Sequence, residues 1–389
     1  MINVNETTWV SASEALQQLG VRPQTLYAYV SRGRVKARAD PDDPRRSWYR
    51  ASDIAALQTR KSRGRKASEV AAAAISWGEP VLASAITTVV DGRLFYRGKD
   101  AAVLAEVETL EAVARLLRGG GGVPLPRLAR PAPPSGVDMR SRLFAALALR
   151  TAGDQPALGR RASDLDDEAS TLLDVVADAV CGQLGEGPIH QRIGRAWGCD
   201  RRGMDSLRRA LVLLADHELN PSAFAARVAA STGASLAAAT LAGLATLSGP
   251  LHGGMGARVK GLAAAADLEG PRQIVAARLA HWTPPPGFGH RLYPDGDPRA
   301  RALLKSFRIP APLEALRAAV EDATGARENV DFALAALTQA LALPEDAPFV
   351  LFAVARTAGW LAHALEQVRD GSPIRPRARY VGRSPGLDE

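Results

Sequence analysis

The sequence predicts a mainly α-helical protein in two parts. A small basic unit precedes a large helical body that opens with a short β-hairpin. Three observations carry this. The 389 residues are 47% apolar, enough for two or three domains and a sizeable core. The net charge of +8 is uneven: residues 1–66 hold 13 basic and 6 acidic side chains, while residues 67–389 are nearly neutral at +1. From about 139 to 369, almost every segment is rich in Ala and Leu at helical spacing, broken by Gly or Pro at 185–188, 249–256, 284–289 and 308–312. This partition excludes a uniformly basic coat protein and a long disordered polyelectrolyte.

The elements follow in order. VSASEALQQLG offers Ser11 or Ser13 as a helix N-cap, an apolar stripe of Ala15, Leu16 and Leu19, and Gly20 as a stop. A second helix opens near Pro23, repeats Leu26, Tyr27 and Val30, and ends at Gly33. Two short helices about a Gly-Val turn form a helix-turn-helix pattern. Pro-Asp-Asp-Pro (41–44) sits between two extended runs and predicts a hairpin, and ASDIAAL predicts a third helix. This unit is assigned to residues 1–60, with a charged linker over 61–74 that begins KSRGRK. Asp91-Gly92, flanked by alternating apolar residues, predicts a second hairpin. ETLEAVARLLRGG predicts a helix, and the Gly- and Pro-rich stretch 119–136 a loop.

Several chemistries are not signalled. The six histidines form no HxxxH pair, and Cys181 and Cys199 have no CxxC partner, so no metal site is predicted. There is no GxxxxGK[ST] phosphate loop and no GxSxG nucleophile turn. Two cysteines in so long a chain suit a reducing cytosol. The first residues lack the charged and apolar regions of a signal peptide, and no run of about 18 apolar residues is free of charge, Gly or Pro. A cytoplasmic protein without a membrane span is expected. Of the histidines, His252 in SGPLHGG and His290 in PPPGFGH stand out because glycines crowd them and let backbone approach a ligand.

SGPLHGG, PGFGHRLYPDGDPRA, ENVDFAL and LFAVARTAGWLAHALEQ, followed by IRPRARYVG, resemble the citrate synthase family. DGRLFYRGKDAAVLAEVETLEAVARLL resembles the start of that fold, and the resemblance covers about residues 75–385. It implies all-helical large and small domains, the small one at roughly 220–330, and a homodimer. It also implies condensation of acetyl-CoA with oxaloacetate, with acyl-CoA as co-substrate and no tightly bound cofactor or metal. Carried over by position, His252 matches the histidine that stabilises the enolate, His290 the one that polarises the oxaloacetate carbonyl, and Asp331 the base. His217 of ADHELN matches a further oxaloacetate-binding histidine. Arg299, Arg356 and Arg375 match the arginines that hold its carboxylates, the last reaching across a dimer interface. Pro286, Gly287, Phe288 and Gly289 match the loop that cradles the coenzyme, with Arg327 a phosphate contact.

The chemistry explains these residue types. A methyl group beside a thioester is a weak acid, so the enolate must be stabilised as it forms and the base tuned by burial. Arginines grip carboxylates through paired N–H donors. The chain departs from the family where Met255-Gly256 replace the usual Ala-Asn and where Ala333-Leu334-Ala335 follow Phe332 in place of Tyr-Ser-Gly. Both departures adjoin catalytic positions and leave propionyl-CoA, the 2-methylcitrate synthase substrate, as an alternative.

Residues 7–60 resemble the winged helix-turn-helix of the MerR and excisionase type. That resemblance implies Gln24, Thr25 and Tyr27 facing a DNA major groove, with Arg32, Arg34, Lys36 and Arg38 on phosphates and Arg45, Arg46 and Trp48 on the wing. A DNA-binding regulator that senses oxaloacetate, citrate or acyl-CoA is therefore a further alternative. A solvated basic face on an interaction module is the plainer reading of the same residues.

Overall fold

The computed structural model describes residues 9–21, 23–31, 34–40, 43, 46–57, 82–120, 130–281, 283–378 and 380–382, with the side chains of 24, 28 and 31 set apart. Gln24 is thus described in its backbone only. Arg32, Arg45 and the 61–74 linker lie outside the described residues. The chain divides into two compact units, Met1–Ala83 and Ser84–Glu389.

In the first unit, β1 (Trp9–Ser11) leads into α1 (Ala12–Leu19). Ser11 is the N-cap. Its hydroxyl accepts from Glu14 N–H at 3.3 Å, and Glu14 accepts from Ser11 N–H at 2.8 Å. Gly20 closes the helix at φ 60°, in the left-handed region where a Cβ is costly. Then come α2 (Pro23–Ser31), β2 (Ala37–Ala39), β3 (Ser47–Arg50) and α3, formed by residues 51–57. The expected hairpin is β2–β3, and β1 adds a third antiparallel strand in the order β1-β3-β2. The sequence reading missed β1 because a three-residue strand shows no period. Ala15, Leu19, Leu26, Val35, Tyr49 and Ile54 make a separate small core.

The second unit opens with β4 (Thr87–Val90), β5 (Arg93–Tyr96) and β6 (Lys99–Asp100), an antiparallel meander. Asp91 (φ 49°) and Gly92 (φ 68°) make the predicted tight turn. The expected two-stranded hairpin is corrected to three strands, because Arg97 (φ 46°) and Gly98 (φ 81°) turn the chain back a second time. Helices follow: α4 (Ala101–Val107), α5 (Leu110–Arg118), α6 (Met139–Gly153), α7 (Ala162–Cys181), α8 (Ile189–Ala196) and α9 (Arg201–Leu214). Next come α10 (Pro221–Ser231), α11 (Leu236–Leu247), α12 (Met255–Glu269), α13 (Pro271–Ala280), α14 (Pro298–Leu304), α15 (Ala311–Thr324), α16 (Val330–Ala340) and α17 (Ala347–Asp370).

Two cores organise these helices. The larger surrounds α17, and Gly243 of α11 is required there, since a Cβ would stand 2.7 Å from the Trp360 ring. Among the described residues, α17 is the one helix long and apolar enough to cross a membrane, and 94% of its apolar window is buried inside the fold. The smaller core joins Val259, Leu262, Val275, Leu316, Val320 and Phe332 from α12, α13, α15 and α16. Helices α10 and α11 fall within the range 220–330, yet their buried faces belong to the larger core.

Candidate active site

Three loops and three helices bring the site residues together. The first loop, 215–220, links α9 to α10. Asn220 caps α10 by accepting from Ser222 and Ala223 N–H, both at 3.2 Å, while its amide donates to the carbonyls of His217 and Glu218. Glu218 adopts φ 51°, and its carboxylate accepts from Val89 N–H at 2.9 Å, tying the loop to β4. The Tyr96 hydroxyl lies 3.1 Å from the carbonyl oxygens of both Val212 and Leu213, anchoring β5 at the end of α9. His217 is buried, and its Nε2 is 2.8 Å from the Tyr293 hydroxyl.

The second loop carries His252. Gly253 N–H bonds Leu247 O at 2.8 Å, and a Cβ on Gly253 would fall 2.5 Å from that oxygen. This close approach demands glycine. His252 Nε2 sits 3.0 Å from Ser222 Oγ, which also accepts from Trp360 Nε1–H at 3.0 Å and lies 2.7 Å from Asn220 Oδ1.

The third loop runs from Pro286 to Asp297. Pro286 and Gly287 are buried, Phe288 is half-buried and Gly289 is exposed. Gly287 takes φ 86° with its α-carbon against Val259 and Phe332, where a Cβ would meet Val259 Cγ2 at 2.7 Å. Backbone bonds stitch this loop to residues 327–329: Asn329 N–H to Gly287 O and Gly289 N–H to Arg327 O, each at 2.8 Å. The stitch sets His290 beside the start of α16. Asn329 caps that helix, accepting from Asp331 N–H at 3.0 Å, so Asp331 stands in its first turn. His290 Nδ1 accepts from Leu292 N–H at 3.2 Å, which leaves the ring proton of the neutral imidazole on Nε2.

The two buried arginines are held differently. Arg299 donates to Asp297 through Nε at 2.9 Å and a terminal nitrogen at 2.8 Å. Asp297 also accepts from Val330 N–H at 3.1 Å, joining α14 to α16. Arg356 donates from Nε to Leu214 O at 3.0 Å and lies 4.8 Å over the Phe352 ring. Among the described residues no carboxylate is within ion-pair distance of it.

Burial and these cations set the protonation states. Burial, reinforced by Arg356, lowers the His252 pKa to about 4. Burial, reinforced by Arg299, does the same to His290. Burial puts His217 well below the usual range, with Arg299 and Arg356 adding to it. All three are neutral imidazoles at pH 7. Burial pushes Asp331 up to about 6, against the pull of Arg299. Burial lowers Arg356 to about 10, while Asp216 supports its charge.

The structure therefore gathers His217, His290, Arg299, Arg356 and Asp331, with His252 joined through Phe352, whose ring is 6.1 Å away. It does not tie Arg375 to this group. That residue is exposed on the segment after α17, where Ile374 N–H bonds Ser231 Oγ. Arg327 is also exposed, paired with Glu321 at 2.5 Å, and with Asp295, Gly296, Asp297, Arg301 and Glu328 it lines a polar cavity of about 290 Å³. Sequence reasoning missed Tyr293, Ser222, Asn220, Asp297 and Asn329 as parts of the site. Each lies within a quoted motif or next to one, so proximity to the histidines was the available signal. Among the described residues no group of His, Cys, Asp and Glu is arranged to hold a metal.

At 255–256, where the chain departs from the usual Ala-Asn, Gly256 lies in the first turn of α12 beside Pro348, whose Cβ would be 2.8 Å from a Cβ at this position. Ala333, Leu334 and Ala335 are buried in the two cores.

Comparison with known proteins places this geometry. The citrate synthase C-terminal domain family matches residues 176–377. A putative citrate synthase 2 of Mycobacterium tuberculosis is 38% identical over 203 residues, 49% of this chain and 54% of the relative. The 2-methylcitrate synthase 2 of Corynebacterium glutamicum is 36% identical over 187 residues, 45% of this chain and 48% of the relative. The crystal structure of Thermotoga maritima citrate synthase superposes with a TM-score of 0.64 at 25% identity, covering 79% of this chain and 94% of that one. The chain belongs to the citrate synthase family. It spans about half the length of the curated relatives it matches.

Proposed function

We propose that residues 84–389 condense an acyl-CoA, acetyl-CoA first, with oxaloacetate and release citrate and CoA. One observation carries the reading: a carboxylate with its pKa raised to about 6 shares a site with neutral histidines and two buried arginines. Asp331 takes a proton from the thioester methyl group. An aspartate with pKa near 6 is a stronger base than an exposed one and is still mostly ionised at pH 7. His252 stabilises the enolate oxygen. Its Nε2 faces Ser222 Oγ, so Nδ1 is the ring nitrogen left for the substrate. His290 donates from Nε2 to the oxaloacetate carbonyl, whose carbon is attacked by the enolate carbon. His217, Arg299 and Arg356 hold the carboxylates, and Arg375 joins from a second copy in a homodimer. Pro286–Gly289 and Arg327 contact the coenzyme. Water then hydrolyses the citryl thioester.

The test is CoA release with acetyl-CoA plus oxaloacetate. The absence of turnover with any short acyl-CoA removes the proposal. Because 2-methylcitrate synthases match as broadly as citrate synthases, propionyl-CoA is the comparison substrate, and a higher kcat/KM with it would reassign the product to 2-methylcitrate.

A second reading concerns the first unit, which we infer to bind DNA as a winged helix-turn-helix. It is supported by exposed Arg34, Lys36, Arg38 and Arg46 and by Tyr27, 62% exposed on α2. Thr25 is half-buried on the same helix. A gel shift with upstream DNA at rising salt tests it, and absence of affinity at low salt would remove it. Repeating the shift with oxaloacetate, citrate and acetyl-CoA tests whether the larger unit regulates binding.

A further inference from the structure

Tyr293 is 2% exposed and lies on the turn between His290 and α14. Its backbone N–H bonds His290 O at 3.0 Å, and its own carbonyl accepts from Gly296 N–H at 3.1 Å, so the backbone on both sides is fixed. Its ring centroid is 4.8 Å from that of His290 at an interplanar angle of 34°, an offset, tilted stack. It meets His217 edge-on at 5.6 Å, and its hydroxyl reaches His217 Nε2 at 2.8 Å. The Arg299 guanidinium carbon lies 5.6 Å from the same ring. One side chain thus touches three residues to which the proposed reaction gives the oxaloacetate.

We propose that Tyr293 is the positioning residue of the oxaloacetate subsite, with its hydroxyl orienting His217 and its ring face orienting His290. The proposal rests on the citrate synthase reading of the site.

The two contacts do different things. An imidazole can rotate about its Cβ–Cγ bond, and a neutral one carries a single N–H. The hydroxyl is the polar partner of His217 Nε2, so it fixes the ring rotation and ties the ring's tautomer to the direction of that hydrogen bond. The stacked face has no hydrogen bond to offer. It limits the swing of His290, whose Nδ1 is already held by Leu292 N–H. Burial raises the pKa of the phenol against the pull of Arg299, with Asp297 adding to the rise, so it keeps its proton at neutral pH. The partnership with His217 is therefore a constant of the site.

The separation is testable on the full chain. Tyr293→Phe keeps the ring and removes the hydroxyl; Tyr293→Leu removes both. Steady-state rates with acetyl-CoA and oxaloacetate are expected to show an oxaloacetate KM about tenfold higher for Tyr293→Phe, with kcat within about threefold and acetyl-CoA KM unchanged. Tyr293→Leu is expected to lower kcat about thirtyfold further. Histidine 15N spectra of the unliganded chain, with His217 assigned by a His217→Gln variant, are expected to show one tautomer in the wild type and a mixture in Tyr293→Phe. A wild type without turnover overturns the underlying reading. Turnover with an unchanged oxaloacetate KM and an unchanged His217 spectrum in Tyr293→Phe overturns the positioning role of Tyr293. Equal rises in both KM values, with a lower melting temperature, assign the residue to stability alone and overturn it too.

Discussion

The two units place their cations in opposite ways. In the first, Arg34, Lys36, Arg38 and Arg46 are exposed, and Arg38 of β2 lies 4.6 Å over the ring of Trp9 in β1, two strands away. In the second, Arg299 and Arg356 are 3% and 1% exposed, and each is oriented by specific partners. An exposed cation acts through the sum of its neighbours' charge, is screened by salt and tolerates some wandering. A buried one acts through direction, and net charge says nothing about it. Composition is informative for the first kind and blind to the second.

The largest test of the buried arrangement is Asp331→Ala, expected to lower kcat by about 10³-fold through loss of the base, measured as CoA release. The pH profile follows from the same residue. Because the ionised form is the base, kcat/KM is expected to fall about tenfold per unit below pH 6. The sign for stability is opposite. A carboxyl whose pKa is raised in the fold disfavours folding above about pH 6 and ceases to do so once pH falls below its unfolded value. Asp331→Asn should therefore melt higher than wild type at pH 7 and no higher at about pH 3.5.

Next is Arg356→Met, which removes one of the two buried cations of the proposed oxaloacetate site. Oxaloacetate KM is expected to rise about a hundredfold with acetyl-CoA KM nearly unchanged. Exposed cations should respond differently. Replacing Arg34, Lys36 and Arg38 together with Gln is expected to flatten the salt dependence of DNA binding by about three counterions while leaving turnover intact. If turnover falls instead, the contrast between the units fails. The smallest effect is Ser11→Ala, which loses the cap of α1 and should cost the first unit about 1 kcal/mol, read by denaturation.

Much of this was legible in the sequence because the relevant signals are local. Asp91-Gly92, Pro23, Gly20 and the Ala- and Leu-rich helices each state their conformation within a few residues. His252, His290 and Asp331 were legible for another reason: motif order identifies them even though no spacing rule brings 252, 290 and 331 together. The hidden parts depend on distant partners. Ser222 meets His252 and Trp360 only after α10, α17 and the 248–254 turn have packed. Tyr293 looks like an ordinary loop tyrosine until His217 arrives from 76 positions away. Arg327 and Arg375, placed by motif alone, prove to be exposed and outside the buried cluster.

The seam between residues 287–289 and 327–329 is written in amide hydrogens and carbonyl oxygens. Mutational scanning reads side chains, so it passes over such a seam: Phe288, Arg327 and Glu328 can each be exchanged while the two backbone bonds persist. The spacing of His290 and Asp331 is thereby insulated from changes at those three side chains. Proline is the exception, since it alone among the coded residues lacks the N–H. A proline at Gly289 should break the bond to Arg327 O and loosen His290 from the start of α16 while every side chain of the proposed reaction remains in the chain.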